Sequence, residues 1–145
     1  MKEFRVDLHL HTCLSPCGSL EMSPQRIVET ALERGLDAIA VTDHNSTLQC
    51  PEILALGEER GLMVFAGAEV TTREEAHCVA LFADDRARAA FQMYLDDNHT
   101  VYSASDAHDP GQIGTKYSLL RADLLDFEHL AMAFRKENGH TIVTA

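Results

Sequence analysis

Histidine and acidic residues recur at the ends of short apolar segments, in types and spacings that suit divalent metal ions. The set comprises His9, His11, Asp43, His44, Glu69, Asp106 and His108. In an extended segment, side chains two residues apart point the same way, so His9 with His11, or Asp106 with His108, can hold one ion. Imidazole together with carboxylate favours Zn, Mn or Fe, whereas oxygen ligands alone favour Mg or Ca. The pattern predicts a divalent metal cluster.

One residue of this set can bind two ions, and two further residues extend it. Glu69 has two carboxylate oxygens and can bridge two cations, and paired ions about 3.5–4 Å apart activate water and bind a phosphoryl oxygen. His77 begins a predicted strand, which makes it either a ligand or a histidine at the edge of the core. Asp7 shares the parity of His9, so we expect it one layer deeper.

Each residue also has an ordinary explanation when taken alone. Asp43 with His44 could be a helix cap beside a surface imidazole, Glu69 a solvated loop acid, and Asp106 a turn residue. The coincidence of ligand-type residues at four separate strand ends favours the metal cluster. His99, His129 and His140 have no supporting pattern, and we expect them at the surface.

The four cysteines offer a weaker signal. Cys13 and Cys17 have a spacing found in zinc sites, and Cys17 closely follows His11. No second pair follows, because Cys50 and Cys78 lie far apart. Ordinary buried thiols are the favoured interpretation, in a chain without an evident disulfide framework.

Strand and helix patterns alternate along the chain and must position these residues. Strands are predicted at residues 4–10, 36–42, 62–66, 77–82, 100–103, 117–121 and 140–144, and helices at 24–34, 51–60, 84–97 and 126–138. Alternation of this kind predicts an α/β domain with parallel strands joined by crossovers. In such folds the site lies beyond the carboxyl ends of the strands. We expect one domain over residues 1–145.

The composition of the chain bears on which classes of partner it can bind and on its cellular location. The chain has 145 residues, 23 acidic against 12 basic, and a formal net charge of -11. That balance argues against duplex nucleic acid and against an anionic membrane as partners, since both require a basic face. No apolar run is long enough for a membrane span, and the first residues do not form a signal peptide, so we expect a cytoplasmic protein.

Five segments together resemble the PHP (polymerase and histidinol phosphatase) family, and within it the small stand-alone metal-dependent phosphoesterases. They are residues 7–12 (DLHLHT), 14–18 (LSPCG), 40–46 (AVTDHNS), 67–72 (GAEVTT) with 75–77 (EAH), and 105–108 (SDAH) with 113–114 (IG). The resemblance implies a distorted (β/α)7 barrel with up to three divalent ions. It also implies hydrolysis of phosphate esters or nucleotide ends by metal-activated water.

The resemblance also implies roles for single residues. His9, His11, Glu69 and Asp106 would hold one ion. Glu69 would bridge to a second ion that also takes His77. His44 and His108 would hold a third. Asp43 would orient the site, and the catalytic candidates are Asp43, His44 and Glu69.

The chain departs from the family pattern in two places. The segment between Phe82 and Tyr102 is short and has no Ala-His-like motif for the second ion, and Ser15-Pro16-Cys17 stands where many members have an acid. His99, or a histidine of a neighbouring subunit, could replace the missing ligand. Arg73 and Lys116 are candidates for phosphate binding.

The short chain also affects the expected architecture. Complete (β/α) barrels need about 200 residues or more, so we expect a trimmed, open, barrel-derived sheet. An uncovered edge or face would favour a homo-oligomer.

Three functions are compatible with these observations. The first is a metal-dependent phosphoesterase acting on a small phosphorylated substrate or a nucleotide end. The second is a PHP-like metal-binding module without catalysis, with a role in assembly or regulation. The third is another amide- or ester-cleaving metallohydrolase.

Overall fold

The computed structural model describes residues 1–71, 77–83 and 103–145. Within these ranges six strands, three α-helices and one short 3-10 helix follow one another along the chain. The elements are β1 (Lys2–Leu10), α1 (Pro24–Glu33), β2 (Ala38–Val41), α2 (Cys50–Arg60), β3 (Met63–Thr71), β4 (His77–Phe82), the 3-10 helix (Pro110–Gln112), β5 (Ser118–Ala122), α3 (Phe127–Arg135) and β6 (Thr141–Thr144).

The strands form one open, mixed sheet in the order β4-β3-β2-β1-β5-β6. The α/β class and the open, barrel-derived sheet are confirmed. The prediction of parallel strands joined by crossovers holds for only part of the sheet, because among the described residues only the pairs β1–β2 and β2–β3 are parallel. Strands β4 and β5 pair antiparallel with β3 and β1. Only residues 72–76 separate β3 from β4, and a parallel pair would need a crossover of a dozen or more residues.

Helix α1 shows how local sequence produces these elements. Ser23 caps the helix by accepting a hydrogen bond from Arg26 N, and Pro24 occupies the first turn, where its missing N–H costs nothing. One face of the helix buries Ile27 and Val28 against the sheet core. The cap and the apolar face together explain why the helix starts where the sequence predicts.

Alternating strand residues divide the core between the two faces of the sheet. Ile39 and Val41 of β2 belong to the cluster that includes residues of α1 and α2, whereas Ala38 and Ala40 belong to the cluster that includes residues of α3. This is the two-residue period of a strand with both faces covered. The packing holds β1, β2 and β3 in register below the site.

Several boundaries differ from the predicted ones. Strand β3 runs to Thr71, so Glu69 lies inside a strand, and α3 ends at Arg135. The predicted helix over 84–97 lies outside the described residues, as does the predicted strand 100–103 apart from Ser103, which is not in a strand. None of the helices in the described ranges is long and apolar enough to cross a membrane.

Candidate metal centre

Three parallel strands bring ligand-type side chains to one edge of the sheet. His9 lies in β1 and His11 follows it directly, while Asp43 and His44 follow β2. Glu69 lies in β3 and forms a parallel bridge with His44. Because the three strands are parallel, their carboxyl ends meet at the edge where α/β proteins place their sites.

Strand β4 reaches the same edge from the opposite direction. His77 is its first residue and pairs antiparallel with Thr71 at the end of β3. The amino end of β4 therefore lies beside the carboxyl end of β3. This is how His77 comes close to Glu69, although β4 is not one of the parallel strands.

The chain before the 3-10 helix completes the edge. Ala107 forms a parallel bridge with Leu10, and its carbonyl accepts the backbone N–H of His11 at 2.9 Å. Asp106 has a left-handed backbone, with φ of 52°, a conformation that aspartate tolerates better than most residues. The bridge at Ala107 places Asp106 and His108 beside the end of β1.

Four side-chain atoms from this edge converge on one point. They are His9 Nε2, His11 Nε2, Glu69 Oε2 and Asp106 Oδ1. The two histidine nitrogens lie 3.3 Å apart, and each lies between 3.1 and 3.4 Å from the Glu69 and Asp106 oxygens. Five of the six separations among the four atoms are therefore close to 3.3 Å. A regular tetrahedron with edges of that length has its centre about 2.0 Å from each corner, which matches zinc bonds to nitrogen and oxygen. The geometry fits a divalent cation.

The two oxygens of Glu69 face different neighbours. Oε2 belongs to the four-atom cluster and also lies 3.3 Å from His44 Nδ1. Oε1 lies 2.9 Å from His77 Nδ1. Glu69, His44 and His77 thus form a second group able to hold an ion. The carboxylate is placed to bridge two cations.

The surroundings of His11 and Glu69 favour the protonation states in which these side chains bind metal. Burial, together with the charges of His108 and His9, lowers the pKa of His11 to about 4. Burial acts to raise the pKa of Glu69, but the hydrogen bond from His77 and the nearby His9 and His44 outweigh it and lower the pKa. A neutral imidazole and an ionised carboxylate are the forms that bind metal.

The low pKa of His11 predicts acid destabilisation of the metal-free protein. The unfolded imidazole has a pKa near 6.5, so between that value and about 4 the unfolded state binds more protons than the folded state. The contribution of the neutral His11 imidazole to the free energy of unfolding is therefore fully present above pH 6.5, and it decreases as the pH drops towards 4. We expect a loss of about 2 kcal/mol between pH 7 and pH 5.

Urea unfolding of metal-stripped protein at the two pH values measures this loss. His11→Gln, which removes the titrating ring, is expected to lose that part of the pH dependence. His129→Gln, a histidine change on α3, should keep it. An unchanged pH dependence in His11→Gln would contradict the prediction.

Two buried aspartates hold the ligand-bearing segments in place. Asp43 accepts hydrogen bonds from Thr12 N and Thr12 Oγ1, both at 2.6 Å. Asp7 accepts from Ser105 N and Gly114 N, both at 2.9 Å. Burial raises the pKa of Asp7 although these hydrogen bonds lower it. Asp43 belongs to none of the metal-ligand groups found among the described residues, and its contacts join the loop after β1 to the loop after β2.

The sequence patterns assign no role to Ser15 and favour the wrong interpretation of Cys17. Ser15 Oγ lies 3.0 Å from His11 Nδ1 and accepts the backbone N–H of His44 at 3.3 Å, and nothing in the sequence distinguishes this serine from others. Cys17 is exposed, so its prediction as a buried thiol is wrong. Its sulfur belongs to a group with nitrogens of His44 and His108.

The remaining candidates lie elsewhere or outside the described residues. All four cysteines lie in the described ranges and none forms a disulfide; Cys50 is buried, whereas Cys13 and Cys78 are partly buried. His140 is buried, so its prediction as a surface residue is wrong; its ring lies against that of His129. Lys116 is exposed just before β5. His99 and Arg73 lie outside the described residues.

Residues 7–132 match the PHP domain family. The chain is 34% identical over 82 residues to the PolC-type DNA polymerase III of Oceanobacillus iheyensis, covering 57% of this chain and 6% of the polymerase. It is 32% identical over 90 residues to an uncharacterised protein of Methanocaldococcus jannaschii, covering 56% of this chain and 52% of that protein. The chain thus spans a small part of the polymerase and about half of the archaeal protein.

Solved structures share the fold. A two-domain protein from Bacteroides vulgatus, described as containing a predicted PHP-like metal-dependent phosphoesterase, has a TM-score of 0.51 at 24% identity, covering 57% of this chain and 27% of that one. Endonuclease Q from Pyrococcus furiosus has a TM-score of 0.75 at 16% identity, covering 97% of this chain and 58% of that one.

One partner prediction is overturned by this likeness. Another structure of the same fold, with a TM-score of 0.73 at 14% identity, 97% coverage of this chain and 58% of that one, is Endonuclease Q in complex with a 27-mer duplex substrate. The prediction that duplex nucleic acid is excluded as a partner is therefore wrong, because it rested on net charge alone. A net charge of -11 describes the whole chain, whereas cations in a site can dominate the local charge.

The ligand-type side chains at the sheet edge and the family match cover the same part of the chain. The match begins at Asp7 and runs past His108, so it contains every residue of the three metal-ligand groups. This chain belongs to the PHP domain family.

Proposed function

We propose that this chain is a metal-dependent phosphoesterase that hydrolyses a small phosphate ester or a nucleotide end. The observation that supports it most is the four-atom cluster of His9, His11, Glu69 and Asp106, whose spacing of 3.1–3.4 Å suits a divalent cation. The cofactor would be Mn, Zn or Fe, since the ligands mix imidazole and carboxylate. One to three ions per chain are compatible with three overlapping groups.

When bound, divalent cations activate a water molecule as the nucleophile and stabilise the charge that develops on phosphoryl oxygens. The residues of this chain would hold the ions in the positions where they can act on the substrate. His11 is buried and uncharged at neutral pH, so it presents a lone pair without first losing a proton. Glu69, ionised and flanked by His77 and His44, is placed to join two ions.

The solvent-facing side of the cluster is where a substrate would enter. The side chains of Asp106 and His77 are 58% and 49% exposed, whereas those of His11 and Glu69 are 0% and 7% exposed. A phosphate group approaching from solvent therefore meets Asp106 and His77 first. Asp43 acts as a positioning residue, because both its oxygens already accept hydrogen bonds from Thr12.

Hydrolysis of generic substrates tests the proposal. We expect manganese-supplemented protein to hydrolyse p-nitrophenyl phosphate, a monoester, or bis-p-nitrophenyl phosphate, a diester. His9→Ala should lower the rate by about a hundred-fold or more, since loss of one ligand disturbs the whole cluster. His129→Ala, on α3, should retain the rate.

Two outcomes would overturn the proposal. Equal rates for wild type and His9→Ala would mean that a contaminant is responsible. Full metal content without hydrolysis of either ester would favour the PHP-like metal-binding module without catalysis. Elemental analysis of each sample, measured in parallel, separates these two results.

A further inference from the structure

The loop between β1 and α1 is hydrogen-bonded to two other segments of the site. Ser15 Oγ accepts the backbone N–H of His44 at 3.3 Å. Ser19 N donates to the carbonyl of His108 at 2.8 Å. Cys17 lies between these two serines, so this loop holds its thiol beside both histidines.

The turn that carries Cys17 has little freedom. Gly18 N donates to Ser15 O at 3.0 Å. A Cβ at Gly18 would lie 2.0 Å from Thr12 O, a distance that no side chain tolerates. The backbone at Gly18, directly after Cys17, is therefore tightly packed, and the sulfur lies within 4.8 Å of ligand nitrogens of His44 and His108.

The two histidines are oriented as metal ligands usually are. His108 Nδ1 donates to the backbone carbonyl of Asp106 at 2.7 Å, so in the neutral ring Nε2 has the free lone pair. His44 Nδ1 lies 3.3 Å from Glu69 Oε2. Metal-binding histidines commonly hold their other ring nitrogen against a carbonyl or carboxylate in this way.

His11 also belongs to the group that contains Cys17, His44 and His108. Both of its ring nitrogens, however, already contact other side chains. Its Nε2 belongs to the four-atom cluster with Glu69 and Asp106. Its Nδ1 contacts Ser15 Oγ at 3.0 Å. If the second ion takes Glu69 and His77, as the family resemblance implies, then Cys17, His44 and His108 remain as three ligands. They would leave one coordination position of a tetrahedral ion open.

We propose that Cys17, His44 and His108 form a thiolate-containing metal site that prefers zinc to manganese. The family resemblance implies an ion at His44 and His108 but supplies no cysteine for it. A thiolate is a soft ligand that suits zinc, whereas manganese prefers oxygen ligands. The thiolate would then make this site more selective for zinc than the neighbouring sites of imidazole and carboxylate. This inference concerns metal identity and does not depend on catalysis by the chain.

Cobalt substitution tests the sulfur bond directly, because a cobalt–thiolate bond adds a near-ultraviolet charge-transfer band that oxygen and nitrogen ligands do not. Metal-stripped full chain is titrated with Co²⁺, and wild type is expected to develop the band. Cys17→Ser should lose it. Cys13→Ser is the matched control, since Cys13 lies in the same loop but in none of the metal-ligand groups among the described residues, and it should retain the band.

Metal competition measures the preference. After incubation with equal concentrations of Zn²⁺ and Mn²⁺, Cys17→Ser is expected to retain one zinc ion fewer per chain than wild type. Cys17→Asp should lose the cobalt band yet still bind a cation, with a greater share of manganese. Circular dichroism of each variant checks that the exposed substitution leaves the fold intact.

A cobalt band that persists in Cys17→Ser, or that is absent from wild type saturated with cobalt, would overturn this inference. Equal zinc content in wild type and Cys17→Ser would do the same. These results are distinguishable from failure of the proposed function. A protein that shows the Cys17-dependent band but hydrolyses no ester would overturn only the phosphoesterase proposal.

Discussion

Glu69→Gln is expected to lower the phosphoesterase rate by about a thousand-fold, equivalent to about 4 kcal/mol of transition-state stabilisation. The substitution keeps the size of the side chain but removes its charge and leaves one acceptor oxygen in place of two. Glu69 Oε2 lies within 3.3 Å of His9 and His11, while Oε1 lies 2.9 Å from His77. A glutamine cannot bind one cation at each oxygen.

The metal content should fall together with the rate. Elemental analysis of Glu69→Gln after equilibration with Mn²⁺ or Zn²⁺ measures this directly. Glu58→Gln is the matched control, because Glu58 is exposed on α2, and it should keep both metal content and rate. Wild-type metal content in Glu69→Gln would show that Glu69 is not a shared ligand.

Asp43→Asn is expected to destabilise the fold by about 3 kcal/mol, a large part of the stability of an ordinary domain. The Asp43 carboxylate is buried and accepts two hydrogen bonds of 2.6 Å, from Thr12 N and Thr12 Oγ1. Asparagine offers one acceptor oxygen and turns an amide N–H₂ towards a donor of Thr12. One buried donor is left unpaired, which costs more than the hydrogen bond itself contributes.

Urea unfolding at pH 7 measures this effect. Asp37→Asn is the graded control, since Asp37 is exposed and accepts one backbone N–H, from Arg5 at 2.8 Å; its loss should be about 1 kcal/mol or less. Thr12→Ser keeps both donors and should be close to wild type. A loss for Asp43→Asn no larger than that for Asp37→Asn would contradict the structural role.

Asp43→Asn should also weaken metal binding, although Asp43 is not itself one of the candidate ligands. Asp43 ties Thr12 to the loop that carries His44, and His11 directly precedes Thr12. Loosening this connection is expected to lower metal affinity by about ten- to a hundred-fold, as for other groups that orient ligands. Asp43 would then affect stability and metal binding together, whereas Glu69 affects chiefly metal binding.

The local pattern of the chain determined much of this architecture. The alternation in β1 sets His9 and Asp7 on the same side, and two apolar runs predict β2 and β3, the other two strands of the parallel part of the sheet. Side chains two apart share a face and parallel strands end at one edge, so the convergence of His9, His44 and Glu69 follows from short-range periodicity. Total charge proved a poor guide to partners, because it sums over residues far from the site.

Only the tertiary structure decided the rest. Ser105 hydrogen-bonds Asp7 across 98 positions of the chain, and the parallel bridge between Ala107 and Leu10 places Asp106 beside the cluster. The antiparallel direction of β5, the contacts of Ser15 and the position of Cys17 beside His108 are likewise invisible in any short window of sequence. Hydrogen bonds between distant segments depend on how the whole chain packs, and no local periodicity encodes them.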